Sequence, residues 1–69
     1  MKTIKFLGHV YVVPDWANYI TQDYLSVAVW ELKPKMWEDL YRVKDGEEHG
    51  KINHVGDTLG DFAVVEELK

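Results

Sequence analysis

Residues 24–32, Tyr-Leu-Ser-Val-Ala-Val-Trp-Glu-Leu, constrain the fold more than any other segment of the chain. In an extended chain Leu25, Val27 and Val29 fall on one face and Tyr24, Ala28, Trp30 and Leu32 on the other, because side chains alternate along a strand. A strand that is apolar on both faces is a central one, or is covered from both sides. Lys33-Pro34 ends it, since proline has no N–H for the ladder and disfavours helix at the residue before it. The segment therefore calls for neighbouring strands or for cover on both faces.

One such pair lies at the start of the chain. Ile4 and Phe6 alternate with Thr3, Lys5 and Leu7, and Gly8-His9 separates them from Val10, Tyr11, Val12 and Val13. Glycine at the first central position of a two-residue connection is the signature of a type II′ hairpin turn. Phe6 is expected to point inward and Lys5 outward. Val13-Pro14-Asp15 stops the second strand, and proline suits the first turn of a helix. Trp16, Tyr19 and Ile20 then follow at i, i+3 and i+4. That spacing predicts a short helix over residues 14–21 with Trp16 and Ile20 facing the sheet, ended by Gln22-Asp23.

The pattern is more ambiguous after Pro34. Met36, Trp37, Leu40 and Tyr41 have helical spacing, whereas residues 40–43 also alternate as a strand. Residues 45–50 form a polar loop bounded by Gly46 and Gly50, and Ile52 and His54 alternate with Asn53 and Val55. The preferred reading is a second hairpin, 40–44 paired with 51–55. Thr58-Leu59-Gly60-Asp61 resembles a capping box with Asp in place of Glu. Phe62, Val65 and Leu68 fit a short C-terminal helix, while residues 63–65 fit a strand equally well. The expected architecture is α+β: a single small domain over residues 1–69, with a twisted antiparallel sheet of four to five strands. One short helix packs on that sheet, with the C-terminal helix as an option.

At 69 residues without cysteine, neither a disulfide scaffold nor a thiolate metal site is open to this chain. Three tryptophans, four tyrosines and two phenylalanines offer an alternative source of stability, since each large ring can bury on the order of 150–250 Å². No apolar run approaches the ~20 residues needed to span a bilayer, and no stretch near the start resembles a secretory signal. The expectation is a small acidic domain in the cytoplasm, with no membrane role.

Catalytic chemistry finds little support. His49, His54, Asp57 and Asp61 fall close together, with Glu47 and Glu48 beside them, but their spacing matches no established metal-ligand pattern. Ser26, the only serine, sits in mid-strand rather than on a strained turn beside a base. The adjacent acids Glu38-Asp39, Glu47-Glu48 and Glu66-Glu67 read as solvated surface rather than as two carboxylates facing one cleft. No enzyme activity, cofactor or metal is expected. For nucleic acid, Trp30, Tyr11 and Tyr24 could stack bases. However, twelve acidic against eight basic side chains, net charge −4, do not make a phosphate-binding groove.

Protein binding is the class that the composition favours, because aromatic residues and arginine dominate interface hot spots. The candidate contact residues are Trp37, Tyr41 and Arg42, together with Glu47, Glu48, Asp57 and Asp61 from an acidic stretch. Residues 45–67 carry Asp45, Glu47, Glu48, Asp57, Asp61, Glu66 and Glu67 against Lys51 alone. Trp37 reads equally as an exposed contact and as a cap on the core. Homodimerisation through an unpaired sheet edge is a further option.

The segments Phe6-Leu7-Gly8-His9 and Val13-Pro14-Asp15-Trp16-Ala17-Asn18-Tyr19-Ile20, then Asp23, Trp30-Glu31-Leu32-Lys33-Pro34 and Trp37, together resemble small uncharacterised proteins of tailed bacteriophages and prophages of Gram-negative bacteria. The resemblance covers about residues 4–37. Where such relatives place an Asp-Gly turn before the central strand, this chain has Asp23-Tyr24-Leu25. The resemblance implies no catalytic residues. It implies an accessory protein in the bacterial host's cytoplasm that binds a host protein, with inhibition of a defence or transcription complex as the expected effect. The alternatives are a structural, self-associating module and a nucleic-acid-binding domain.

Overall fold

The computed structural model describes residues 1–37, 40–41 and 50–68, with Met36, Trp37, Leu40 and Tyr41 described by backbone alone. The described residues contain strands and turns and no helix. They comprise β1 (Lys2–Phe6), β2 (His9–Val13), β3 (Tyr19–Gln22), β4 (Ser26–Trp30), β5 (Met36–Trp37), β6 (Leu40–Tyr41), β7 (Ile52–Asp57) and β8 (Val64–Glu67). The architecture is all-β, not α+β.

The main sheet has four antiparallel strands in the order β7-β4-β3-β8. β4 is an inner strand, as its two apolar faces require. Val27 and Val29 are buried on one face, Ala28 and Trp30 on the other. The strand is shorter than the sequence suggests: Tyr24, Leu25 and Leu32 lie outside it and are exposed.

The predicted helix over 14–21 is replaced by a turn at residues 15–16 followed by β3. Only three residues carried the helical spacing, and Tyr19, Ile20 and Thr21 are strong strand formers. Pairing with β4 on one side and β8 on the other supplies the backbone bonds that a helix would have made internally. Ile20 does face the core, and Trp16 packs against it from the turn. The C-terminal helix is likewise a strand, β8, whose β-branched Val64 and Val65 lie opposite Gln22 and Thr21. β7 pairs with β4 rather than forming the expected second hairpin. Leu40 and Tyr41 pair with Trp37 and Met36, and residues 42–44 lie outside the described residues.

β1 and β2 form the expected hairpin with a different turn. Phe6 pairs with His9, so Leu7 and Gly8 are the two turn residues. Their φ values of 50° and 81° make the turn type I′, in which both central residues are left-handed. The hairpin's inward face contributes Ile4, Phe6, Tyr11 and Val13 to a core completed by Ala17, Ile20, Val27 and Val29. Lys5 is exposed, as expected. Tyr11 lies against Gly56 of β7, where an added Cβ would come within 3.1 Å of its ring. The β4/β7 register shifts between Val27 and Ala28, leaving Val55 as the extra residue of a bulge.

Candidate protein-binding site

Asp23 closes β3 and shapes the connection to β4. Its Oδ1 accepts the backbone N–H groups of Leu25 at 2.9 Å and Ser26 at 3.1 Å, and its own N–H donates to the Ser26 carbonyl at 3.1 Å. Such a carboxylate turn holds the backbone without help from the two residues at its tip. Those residues are Tyr24 and Leu25, and they are 49% and 62% exposed.

The residues 58–62 are held at the same end of the sheet by one buried side chain. Gln22 accepts the Leu59 N–H on Oε1 at 2.9 Å. The two protons of its Nε2 serve the carbonyls of Gly60 at 2.8 Å and Phe62 at 3.2 Å and the Thr58 hydroxyl at 3.2 Å. The Thr58 hydroxyl donates to the Asp23 carbonyl at 2.5 Å and receives the Gly60 N–H at 3.3 Å. Its single proton is committed to Asp23 by that short contact. Among the described residues, no buried side-chain nitrogen or oxygen lacks a partner. A fully satisfied network of this kind is rigid.

That rigidity positions a third apolar side chain. Phe62 is 44% exposed, and its ring sits so close over Gly60 that an added Cβ there would come within 2.8 Å of it. Tyr24, Leu25 and Phe62 therefore occupy one end of the sheet, with the exposed carboxylates of Asp57 and Asp61 in the same segments. Residues 22–26 and 56–64 contain no lysine or arginine.

No family model, curated protein or solved structure matches the chain.

Of the residues singled out from the sequence, Asp57 and Asp61 belong to this end of the sheet and are exposed. Trp37 and Tyr41 lie on the paired strands β5 and β6, where the backbone alone is described. Arg42, Glu47 and Glu48 lie outside the described residues. Tyr24, Leu25 and Phe62 were not among the expected contacts, because Tyr24 and Leu25 read as the start of the central strand. The available signal was Asp23, whose side chain favours a turn over a strand.

Trp30 is buried, and its indole N–H is bonded to Thr21 at 2.9 Å, so it does not join Tyr11 and Tyr24 in a stacking platform. Among the described residues, no three His, Asp or Glu side chains are grouped to hold a metal ion. No helix of the described residues is long and apolar enough to cross a membrane. Burial pushes the Tyr11 hydroxyl above its ordinary pKa of 10.0.

Proposed function

We propose that the chain is a non-enzymatic protein-binding module that engages its partner through Tyr24, Leu25 and Phe62, with Asp57 and Asp61 selecting a basic surface. The observation that carries this reading is the exposure of three large apolar side chains on a frame held by Gln22, Asp23 and Thr58. Aromatic side chains fixed before contact lose little freedom on binding, so more of their buried area appears as affinity. We further propose, on the resemblance read in residues 4–37, a host protein as the partner, the bacterial cytoplasm as the setting and inhibition as the effect.

The test is a photo-cross-linking amino acid placed at Tyr24 or Phe62, with Thr3 as a control position, in host cells. One dominant adduct from the first two positions, lost when Asp57 and Asp61 are both changed to Lys, is the expected result. Equal labelling from Thr3, or no adduct at all, would overturn the reading. Self-association is a second reading, supported by Val10 and Val12, which are exposed on one face of β2. Light scattering across a dilution series separates the two.

A further inference from the structure

The four-stranded sheet ends in two edges of different character. On the β7 side, the bulge at Val55 interrupts the strand and Tyr11 of the hairpin crosses Gly56; bulges at an edge hinder further pairing. On the β8 side the pairing with β3 runs in regular register from Val64 to Glu67. Among the described residues, no strand pairs with the outer side of β8.

Two hydrogen bonds fix which backbone groups of β8 face outward. Asp23 donates its N–H to Ser26, and Leu68 donates to Asn18 at 2.8 Å. Antiparallel ladders alternate, so an inner strand turns successive residues toward opposite neighbours. Tyr19 and Thr21 thus direct their backbone groups toward β4, and Ile20 and Gln22 toward β8. Glu66 and Val64, opposite Ile20 and Gln22, direct theirs inward. Val65 and Glu67 direct an N–H and a C=O each to the open side.

The side chains along this edge carry a recognisable pattern. Val64 and Glu66 lie on the core side of the sheet, and Val65 and Glu67 lie on the opposite side. Each face therefore offers one valine followed by one glutamate. Neither glutamate has a salt bridge among the described residues. A second copy pairing antiparallel through its own β8 must oppose outward-facing residues to each other, and the register that sets Val65 against Glu67 places Glu66 directly against Glu66 of the other copy.

We infer that β8 receives an extended segment of a partner protein as an added strand, the segment bearing two adjacent basic and two adjacent apolar residues. Main-chain bonds to Val65 and Glu67 supply the attachment, and the neighbouring side chains select the segment. Directly opposed side chains of opposite charge come within ~5 Å in such a pair, so lysine or arginine is selected beside Glu66 and Glu67. The inference rests on the protein-binding reading and specifies the form in which the partner arrives.

The probes are two short peptides, one containing Lys-Lys-Val-Val and one Val-Val-Lys-Lys, so that antiparallel and parallel addition are both sampled. Amide hydrogen exchange of the whole protein is followed by NMR. Saturating peptide is expected to slow exchange at Val65 and Glu67 by about tenfold or more, while Val64 and Glu66, already bonded to β3, change little. Raised salt should reduce the effect. Changing Glu66 and Glu67 together to Lys should abolish it with these probes and transfer it to peptides with Glu in place of Lys. Perturbation confined to residues 23–25 and 57–62 would overturn strand addition while leaving the binding reading standing. Protection of Val65 and Glu67 that grows with protein concentration alone would overturn it in favour of a second copy of the chain.

Discussion

The indole N–H of Trp30 donates to the hydroxyl of Thr21 at 2.9 Å, and both side chains are buried. The two residues sit on neighbouring strands, with Thr21 opposite Ala28 and Trp30 opposite Tyr19. The bond joins the polar atom of the large ring to the Thr21 hydroxyl on the same face of the sheet, so both can stay buried without stranding the indole donor.

Thr21→Val keeps the shape of the side chain and removes the acceptor. A buried donor left without a partner costs about 1–3 kcal/mol, and urea unfolding should show a loss of that size. In the Trp30→Phe background the same substitution should cost little, because no indole N–H remains to be stranded. Equal losses in both backgrounds would mean that Thr21 acts through packing instead.

Gln22→Leu removes the bonds to Leu59, Gly60, Phe62 and Thr58 in a single step. Part of the freed backbone can reach water, so a loss of about 2–3 kcal/mol is expected. Amide exchange at Leu59 should accelerate more than exchange at Val29, which marks the change as centred on residues 58–62.

Leu7 holds φ of 50° in the hairpin turn, a region that costs an ordinary L-residue about 1–2 kcal/mol. Asn followed by Gly is the favoured pair for a type I′ turn. Leu7→Asn should therefore stabilise the protein by about 0.5–1 kcal/mol, visible as a higher melting temperature. Leu7→Val should lower it, because branching at Cβ makes left-handed φ harder to hold.

Burial raises the pKa of the Tyr11 hydroxyl above its ordinary value. The folded state then holds the phenolic proton more tightly than the unfolded chain does. This contribution is fully present below the unfolded pKa near 10 and is lost as pH rises through the higher folded value. Unfolding free energy should fall in the alkaline range above pH ~10, and Tyr11→Phe should remove that part of the fall.

Much of the sheet is legible in the chain. The two apolar faces of residues 27–30 mark the inner strand, and the alternation from Ile4 to Val13 marks the hairpin. The turn between them lies one residue earlier than Gly8-His9 suggests, because Gly8 suits either central position and Leu7 gives no sign of a left-handed backbone. Trp16, Tyr19 and Ile20 fit a helix by spacing, but β3 is decided by partners far away in sequence, β8 above all. The spacing from Thr58 to Asp61 suggests a helix cap; the Thr58 hydroxyl instead bonds the Asp23 carbonyl, a contact 35 residues away. Among the candidate contacts, Asp57 and Asp61 were visible as charge. Tyr24, Leu25 and Phe62 were not, since exposure of an apolar side chain depends on which neighbours arrive.

The placement of Gln22 also sets an order of assembly. β3 meets β4 across a four-residue turn, yet its amide must find carbonyls up to 40 residues further along the chain. Closing so long a loop is entropically opposed until the inner pair exists to receive it. The C-terminal strand should therefore dock late, after the β3–β4 hairpin. Gln22→Leu should then speed unfolding more than it slows folding, a division that stopped-flow measurements would resolve.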